Sequence, residues 1–202
     1  MKKQTLLIAL LFLFSATIYA ETPEALFKAG HLLDSLGSFD KALKKFDKAI
    51  QLKPDYAEAY NARGMVWLKK QDHEHAMKDI TYAIALKPNF VEAYFNRAIL
   101  KNELDDSRGA MQDLDKAIEL DPNSFQSYNF RGLMRGRLGD HIGEIQDYTK
   151  AISIKPNYAE AYHNRGHAKF LTGDKNGACL DFSKAGEFGY FKSYDDIKEM
   201  CK

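Results

Sequence analysis

The chain is short of most of the residues on which chemistry is usually built. It has two cysteines, Cys179 and Cys201, one tryptophan and five prolines among 202 residues. The cysteines match no zinc-ligand spacing and no CxxC redox pair. There is no glycine-rich phosphate loop, no GxSxG nucleophile turn, and no cysteine close to a histidine in sequence. Neither sign of charge dominates, with 29 Lys and Arg against 28 Asp and Glu. A nucleic-acid binder carries a basic surplus or stripe that displaces counterions from phosphates, and this chain has neither. No stretch alternates apolar and polar residues for long, so no β-strand is expected. Beyond the first twenty residues, no apolar run is long enough to span a bilayer.

Those first twenty residues read as a secretory signal peptide. Lys2 and Lys3 give a positive start, Leu6 to Phe14 is unbroken apolar sequence, and Ala20 supplies a small residue for cleavage. Cleavage is expected after Ala20, with Ile18 three positions from the cut and Glu21 as the new N-terminus. The apolar run is short of the roughly 17–25 residues that span a membrane, which disfavours an uncleaved anchor. No cysteine near the cut suggests lipid attachment. Cleavage removes two lysines and no acid, leaving 27 basic and 28 acidic residues and a formal charge of −1. The expected location is the periplasm or the exterior. In an oxidising compartment Cys179 and Cys201 are a disulfide candidate, the alternative being one buried and one exposed thiol.

What is abundant is repetition. Pro54, Pro88, Pro122 and Pro156 follow one another at 34-residue intervals. Their surroundings repeat too: LKPDYAEAY, LKPNFVEAY, LDPNSFQSY and IKPNYAEAY. Each unit reads as two amphipathic helices, shown in the second by Tyr60, Arg63, Gly64 and Trp67, then Ala76, Ile80, Ala83 and Ile84. A turn falls at one phase throughout: Gly37-Ser38, Gln71-Asp72, Asp105-Asp106, Gly139-Asp140 and Gly173-Asp174. Glycine there suits a left-handed helix end, and Asp or Ser a following cap. Asp55, Asn89, Asn123 and Asn157, each after a proline, are expected to cap the next unit's first helix. Thr22-Pro23 opens the first unit as a cap followed by proline.

This pattern resembles the tetratricopeptide repeat (TPR) family. The units span 23–56, 57–90, 91–124, 125–158 and 159–192 within 21–192, and residues 193–202 are expected to form a capping helix. Position 4 holds Leu26, Tyr60, Tyr94, Tyr128 and Tyr162; position 8 holds Gly30, Gly64, Ala98, Gly132 and Gly166. Position 20 is Ala42, Ala76, Ala110 and Ala178, with Glu144 in the fourth unit, and position 27 is Ala in all five. The resemblance implies an all-α, right-handed α-solenoid of five helix-turn-helix repeats whose first helices line a concave groove. The last unit has Tyr190 in place of proline, and the open end of a solenoid needs a cap.

Several side chains recur in phase. Arg63, Arg97, Arg131 and Arg165 share position 7, and Asp79, Asp113, Asp147 and Asp181 share position 23; the first unit has Ala29 and Lys45 instead. An Arg–Asp pair inside each of four units is expected. In the fourth, Glu144 and Arg135 are expected to pair, or the glycine-rich unit to pack loosely. In that family positions 2, 5, 9 and 12 of the first helices face the ligand; here positions 2, 5 and 9 supply Glu58, Asn61 and Met65; Glu92, Phe95 and Ile99; Gln126 and Asn129; and Glu160, His163 and His167. Carboxylates beside amides and apolar patches imply a neutral or basic protein or peptide partner. The clamp for C-terminal carboxylates found in one TPR subclass needs Lys and Arg where this chain has Glu.

His163 and His167 lie four apart and share a helix face. The zinc-protease pattern would need Glu at 164, where Asn164 stands, and two histidines fall short of the three or four ligands usual for zinc. No metal, cofactor or enzymatic activity is therefore expected. The reading is an exported interaction scaffold. The alternatives are a structural subunit of an envelope complex using its convex face, and a metal-handling protein using the two histidines.

Overall fold

The computed structural model describes residues 21–201, so the signal segment expected over 1–20 lies outside the described residues. Those described form eleven α-helices and no strand. Five hairpins run in order: α1 (Pro23–Ser35) with α2 (Phe39–Leu52), α3 (Ala57–Lys69) with α4 (His73–Leu86), α5 (Val91–Glu103) with α6 (Ser107–Leu120), α7 (Phe125–Arg137) with α8 (His141–Ile154), and α9 (Ala159–Leu171) with α10 (Lys175–Glu187). A shorter α11 (Ser193–Met200) follows. Among them, no helix is long and apolar enough to cross a membrane.

Local chemistry accounts for the turns. Gly37, Gln71, Asp105, Gly139 and Gly173 all take positive φ, so the chain leaves each first helix through the left-handed region. Asp72, Asp106, Asp140 and Asp174 then accept from the backbone N–H three residues on and cap the second helices. Thr22 likewise caps α1, with Pro23 in its first turn. The caps expected after the prolines are absent. Tyr56, Phe90 and Tyr158 occupy the cap positions of α3, α5 and α9 without a side-chain bond, and Ser124 caps α7. The aromatic residues there bury ring surface against neighbouring helices, a hydrophobic gain in place of a polar cap.

Small residues set how closely each hairpin closes. Ala42, Ala76, Ala110 and Ala178, and the five alanines at 49, 83, 117, 151 and 185, are fully buried. At position 8, glycine faces a bulky side chain on the second helix: Gly30 meets Phe46, Gly132 meets Tyr148 and Gly166 meets Phe182. A Cβ on Gly166 would stand 2.7 Å from the Phe182 ring and 3.2 Å from the Ala178 carbonyl oxygen. Gly166→Ala is expected to cost about 1–2 kcal/mol net, because overpacking of about 1–3 kcal/mol outweighs alanine's helix advantage of about 0.5–1. Adding Phe182→Leu should restore part of the loss, since Ala98 sits opposite Leu114 in the third hairpin without difficulty. Thermal melts of the single and double variants test this; a Gly166→Ala protein as stable as the parent would remove the close-approach account.

The recurring ions form joints. Each Arg grips its Asp with two parallel hydrogen bonds, Arg63–Asp79, Arg97–Asp113, Arg131–Asp147 and Arg165–Asp181, at 2.6–2.9 Å. Three aspartates hold a second cation: Lys101 on Asp113, Arg135 on Asp147 and Lys169 on Asp181. The guanidiniums also reach back to the preceding repeat, Arg63 to Asp47, Arg131 to Asp115 and Arg165 to Thr149, and each lies over the tyrosine at position 4. Bonding to Asp113 holds the Arg97 pKa above its ordinary value. In the first hairpin Lys45 turns to Glu21 instead.

The fourth hairpin departs from expectation. Arg135 does not pair with Glu144; it bonds Asp147 and the Gly143 carbonyl oxygen. Glu144 is buried, held by His141 and by the Tyr148 hydroxyl. Its carboxylate occupies the space where a side chain at Gly136 would begin, so that glycine accommodates a buried acid rather than loosening the packing.

Candidate functional site

Successive first helices touch: α1 meets α3, α3 meets α5 and α7 meets α9, whereas successive second helices do not approach as closely. Stacking that is tighter on one side must curve, so the first helices line the inner face. Along it, Asn61 and Asn129 at position 5 are buried. Asn61 accepts from the Asn96 amide at 3.0 Å and donates to Glu92 at 3.5 Å; Asn129 accepts from Asn164 at 3.4 Å and donates to Glu160 at 3.2 Å. These amides join one repeat to the next and are not free to bind a peptide backbone. Burial without such partners would cost each amide several times what a surface bond returns.

Between the third and fourth hairpins the joint is different. Phe95 and Phe130 take the places held elsewhere by paired asparagines, with ring centroids 5.8 Å apart. Here α5 and α7 contact each other less than the other neighbouring first helices, and a cavity of about 280 Å³ opens between them. Phe95, Ile99, Phe130 and Tyr158 give it apolar walls, and Glu103, Gln126 and Glu160 a polar rim. Two carboxylates and no cation belong to the lining; Arg137 stands at one edge, donating to Asn102 at 2.6 Å, and Lys155 at another, over the Tyr158 ring.

The remaining predicted residues are spread along the same face. Glu58 is half-buried and tied to Lys87 at 2.6 Å, a bond that holds its carboxyl below the ordinary range. Met65 is half-buried against the core of the second and third hairpins. Glu92, Gln126 and Glu160 are exposed, and among the described residues neither Glu92 nor Glu160 has an ion-pair partner. His163 is buried and His167 half-exposed, at the end where α11 closes the face. Sequence reasoning passed over Glu103, Phe130 and Tyr158. Asn102 lies at position 12, a ligand-facing phase of the pattern, but the other three sit at phases that carry no such signal.

Cys179 on α10 and Cys201 after α11 are joined by a disulfide, Cα atoms 5.8 Å apart. With Tyr194 packed on Gly186, the bond holds α11 over the last hairpin. A larger hollow of about 660 Å³ lies away from the inner face, on α3 and α4, lined by Tyr60, Met77 and Tyr82 among others. Its Arg63 and Asp79 are already paired with each other, so the inner hollow, where Glu160 has no ion-pair partner among the described residues and Glu103 meets only the His73 ring at 3.3 Å, is the better candidate for recognition.

The fold and this face define a class: a stacked helical-hairpin scaffold with a grooved inner surface. Family models describing a "TPR repeat" match residues 30–71 and 145–173, and models of the "Tetratricopeptide repeat" match 57–90, 91–124 and 125–158. The chain belongs to the tetratricopeptide repeat family. Among solved structures it is similar to MamA, with 27% identity over 82% of this chain and 96% of that one, and a TM-score of 0.71. It shares its fold with PilF of Pseudomonas aeruginosa (17% identity, 84% and 78% coverage, TM-score 0.79). The same holds for YrrB, described as a TPR protein with an unusual peptide-binding site (20% identity, 89% and 94% coverage, TM-score 0.69). No curated protein matches the chain significantly.

Proposed function

We propose that this protein is an exported scaffold that grips a neutral or basic segment of another protein along its inner face, and that it does not transform what it holds. One observation carries the proposal: the hollow between α5 and α7, apolar inside and rimmed by Glu103 and Glu160. An aliphatic stem ending in a cation fits that chemistry, because the stem buries on the rings while the charge meets a carboxylate. The peptide-binding site ascribed to YrrB, on the same fold, supports the reading. Exposed Glu92 extends the acidic rail toward the N-terminal repeats. Export is supported by the character of residues 1–20 and by a disulfide of the kind that is common in oxidising compartments and rare in the cytosol.

The test uses mature protein as bait in its own envelope extract. A Glu103→Lys, Gln126→Lys double variant alters two hollow-lining side chains, and Tyr82→Ala trims the outer hollow. The double variant should bind its partner more than about tenfold more weakly, a loss of about 1.4 kcal/mol, through like-charge repulsion. Tyr82→Ala should bind normally. The reverse pattern would move recognition to the convex face and favour a structural role in an envelope complex. Mass spectrometry of the purified protein should show a chain beginning at Glu21.

A further inference from the structure

At the C-terminal end of the inner face three metal-ligating side chains converge from two elements. His163 and His167 project from α9, and Asp196 reaches across from α11. The His163 Nε2 lies 2.9 Å from Asp196 Oδ2 and 3.2 Å from the His167 Nε2, which is itself 3.6 Å from Asp196 Oδ1. We propose that His163, His167 and Asp196 form a site for a divalent cation of the zinc type, which clamps the capping helix to the last hairpin.

The distances suit such an ion. Donors at about 2.0–2.1 Å from a tetrahedral zinc lie about 3.3 Å from one another, close to all three separations here. Two imidazoles and a carboxylate are a ligand set that zinc takes with a fourth position left open, and His167, the most exposed of the three, places that opening toward solvent and the groove. The cluster is poorly satisfied by protons alone. Two imidazole Nε2 atoms that face each other can share at most one hydrogen, whereas a cation engages both lone pairs and the carboxylate together.

The site is preorganised: the Tyr190 ring lies on His163 at 4.4 Å, Phe182 stands behind both histidines, and the disulfide fixes α11, which carries Asp196. One feature opposes tight binding. His163 Nδ1 is buried without a partner, so the outer hydrogen bond that usually orients a metal-bound histidine is missing, and Lys192 adds a nearby positive charge. An affinity below that of dedicated structural zinc sites follows.

The experiment is a calorimetric titration of zinc chloride into chelator-stripped, disulfide-bonded mature protein. Parallel titrations use His167→Ala, a half-exposed position, and Asp196→Asn, which keeps the carboxylate's size and shape without its charge; circular dichroism confirms that each variant is folded. The parent should bind one zinc per chain and melt at a higher temperature when loaded. Each variant should bind more than about tenfold more weakly, since even outer-shell losses cost about 10–100-fold. Cobalt should give the intense visible bands of a four-coordinate site in the parent alone. No saturable zinc binding by the parent, or binding unchanged in both variants, would overturn the proposal; the latter would assign the metal to other histidines, such as His73 and His75. Neither result bears on peptide binding at the α5–α7 hollow, whose own test alters Glu103 and Gln126 and leaves these three ligands untouched.

Discussion

Asp113→Ala is expected to destabilise the protein by about 3–5 kcal/mol, the cost typical of breaking a buried ion pair by removing one partner. Asp113 is only 5% exposed and holds both Arg97 and Lys101, so the change leaves two cations in a poorly solvated seam. For a domain of this size, about 2–4 °C of melting temperature is lost per kcal/mol, so the midpoint should fall by roughly 6–20 °C. Asp47→Ala is the control. Asp47 also bonds an arginine, Arg63, at 2.7 Å, yet it is 57% exposed, and an exposed pair contributes about 0–1 kcal/mol. Equal melting points for the two variants would show that burial does not govern these joints. Salt should distinguish them as well, weakening the Asp47 contact and leaving the Asp113 cluster nearly unaffected.

The second large effect is expected on reducing the Cys179–Cys201 bond. The bond closes a loop of 22 residues, and freeing it returns conformational entropy to the unfolded chain worth about 3 kcal/mol in the chain-entropy account. The loss should be local first. The helix α11 is short and its exposed side carries Asp195, Lys198 and Glu199, so without the staple it should fray from α10 before the rest unfolds. Hydrogen exchange on reduced and unreduced protein tests this: protection should fall across α10 and α11 and stay unchanged in α3 to α6. Two titratable thiols in unreduced protein purified from its native source would refute the pairing, and uniform loss of protection would refute a local role.

The fold was legible because its determinants repeat. The comb proline and the turn Asp each recur in four units and alanine at position 27 in all five, and Asp72, Asp106, Asp140 and Asp174 cap helices where the pattern places them. The Arg–Asp pairs were legible for the same reason, by joint presence and joint absence. The joints between repeats were not. Asn61 and Asn129 have the chemistry of ligand-binding amides, and only the distance to Asn96 and Asn164 shows that they are spent on cohesion. The Glu144–Arg135 pairing failed because Asp147, three residues beyond Glu144, offers Arg135 a nearer carboxylate. Asp196 lies outside the repeats, at no recurring phase, so nothing in the 34-residue pattern directs attention to it.

The arginine joints bear on how such a chain can vary in length. Arg63 and Arg131 take one carboxylate from their own unit and another from the unit before, and Arg165 takes Thr149 there, so this arginine is met by either residue type. A duplicated module would therefore keep its arginine joint. The inner-face joints would not survive the copying: doubling the third unit sets Phe95 against Asn96 instead of Phe130, and doubling the fourth sets Asn129 against Phe130 instead of Asn164. Growth by unequal crossing-over would leave a mismatched amide or ring at each new seam, for later substitution to repair.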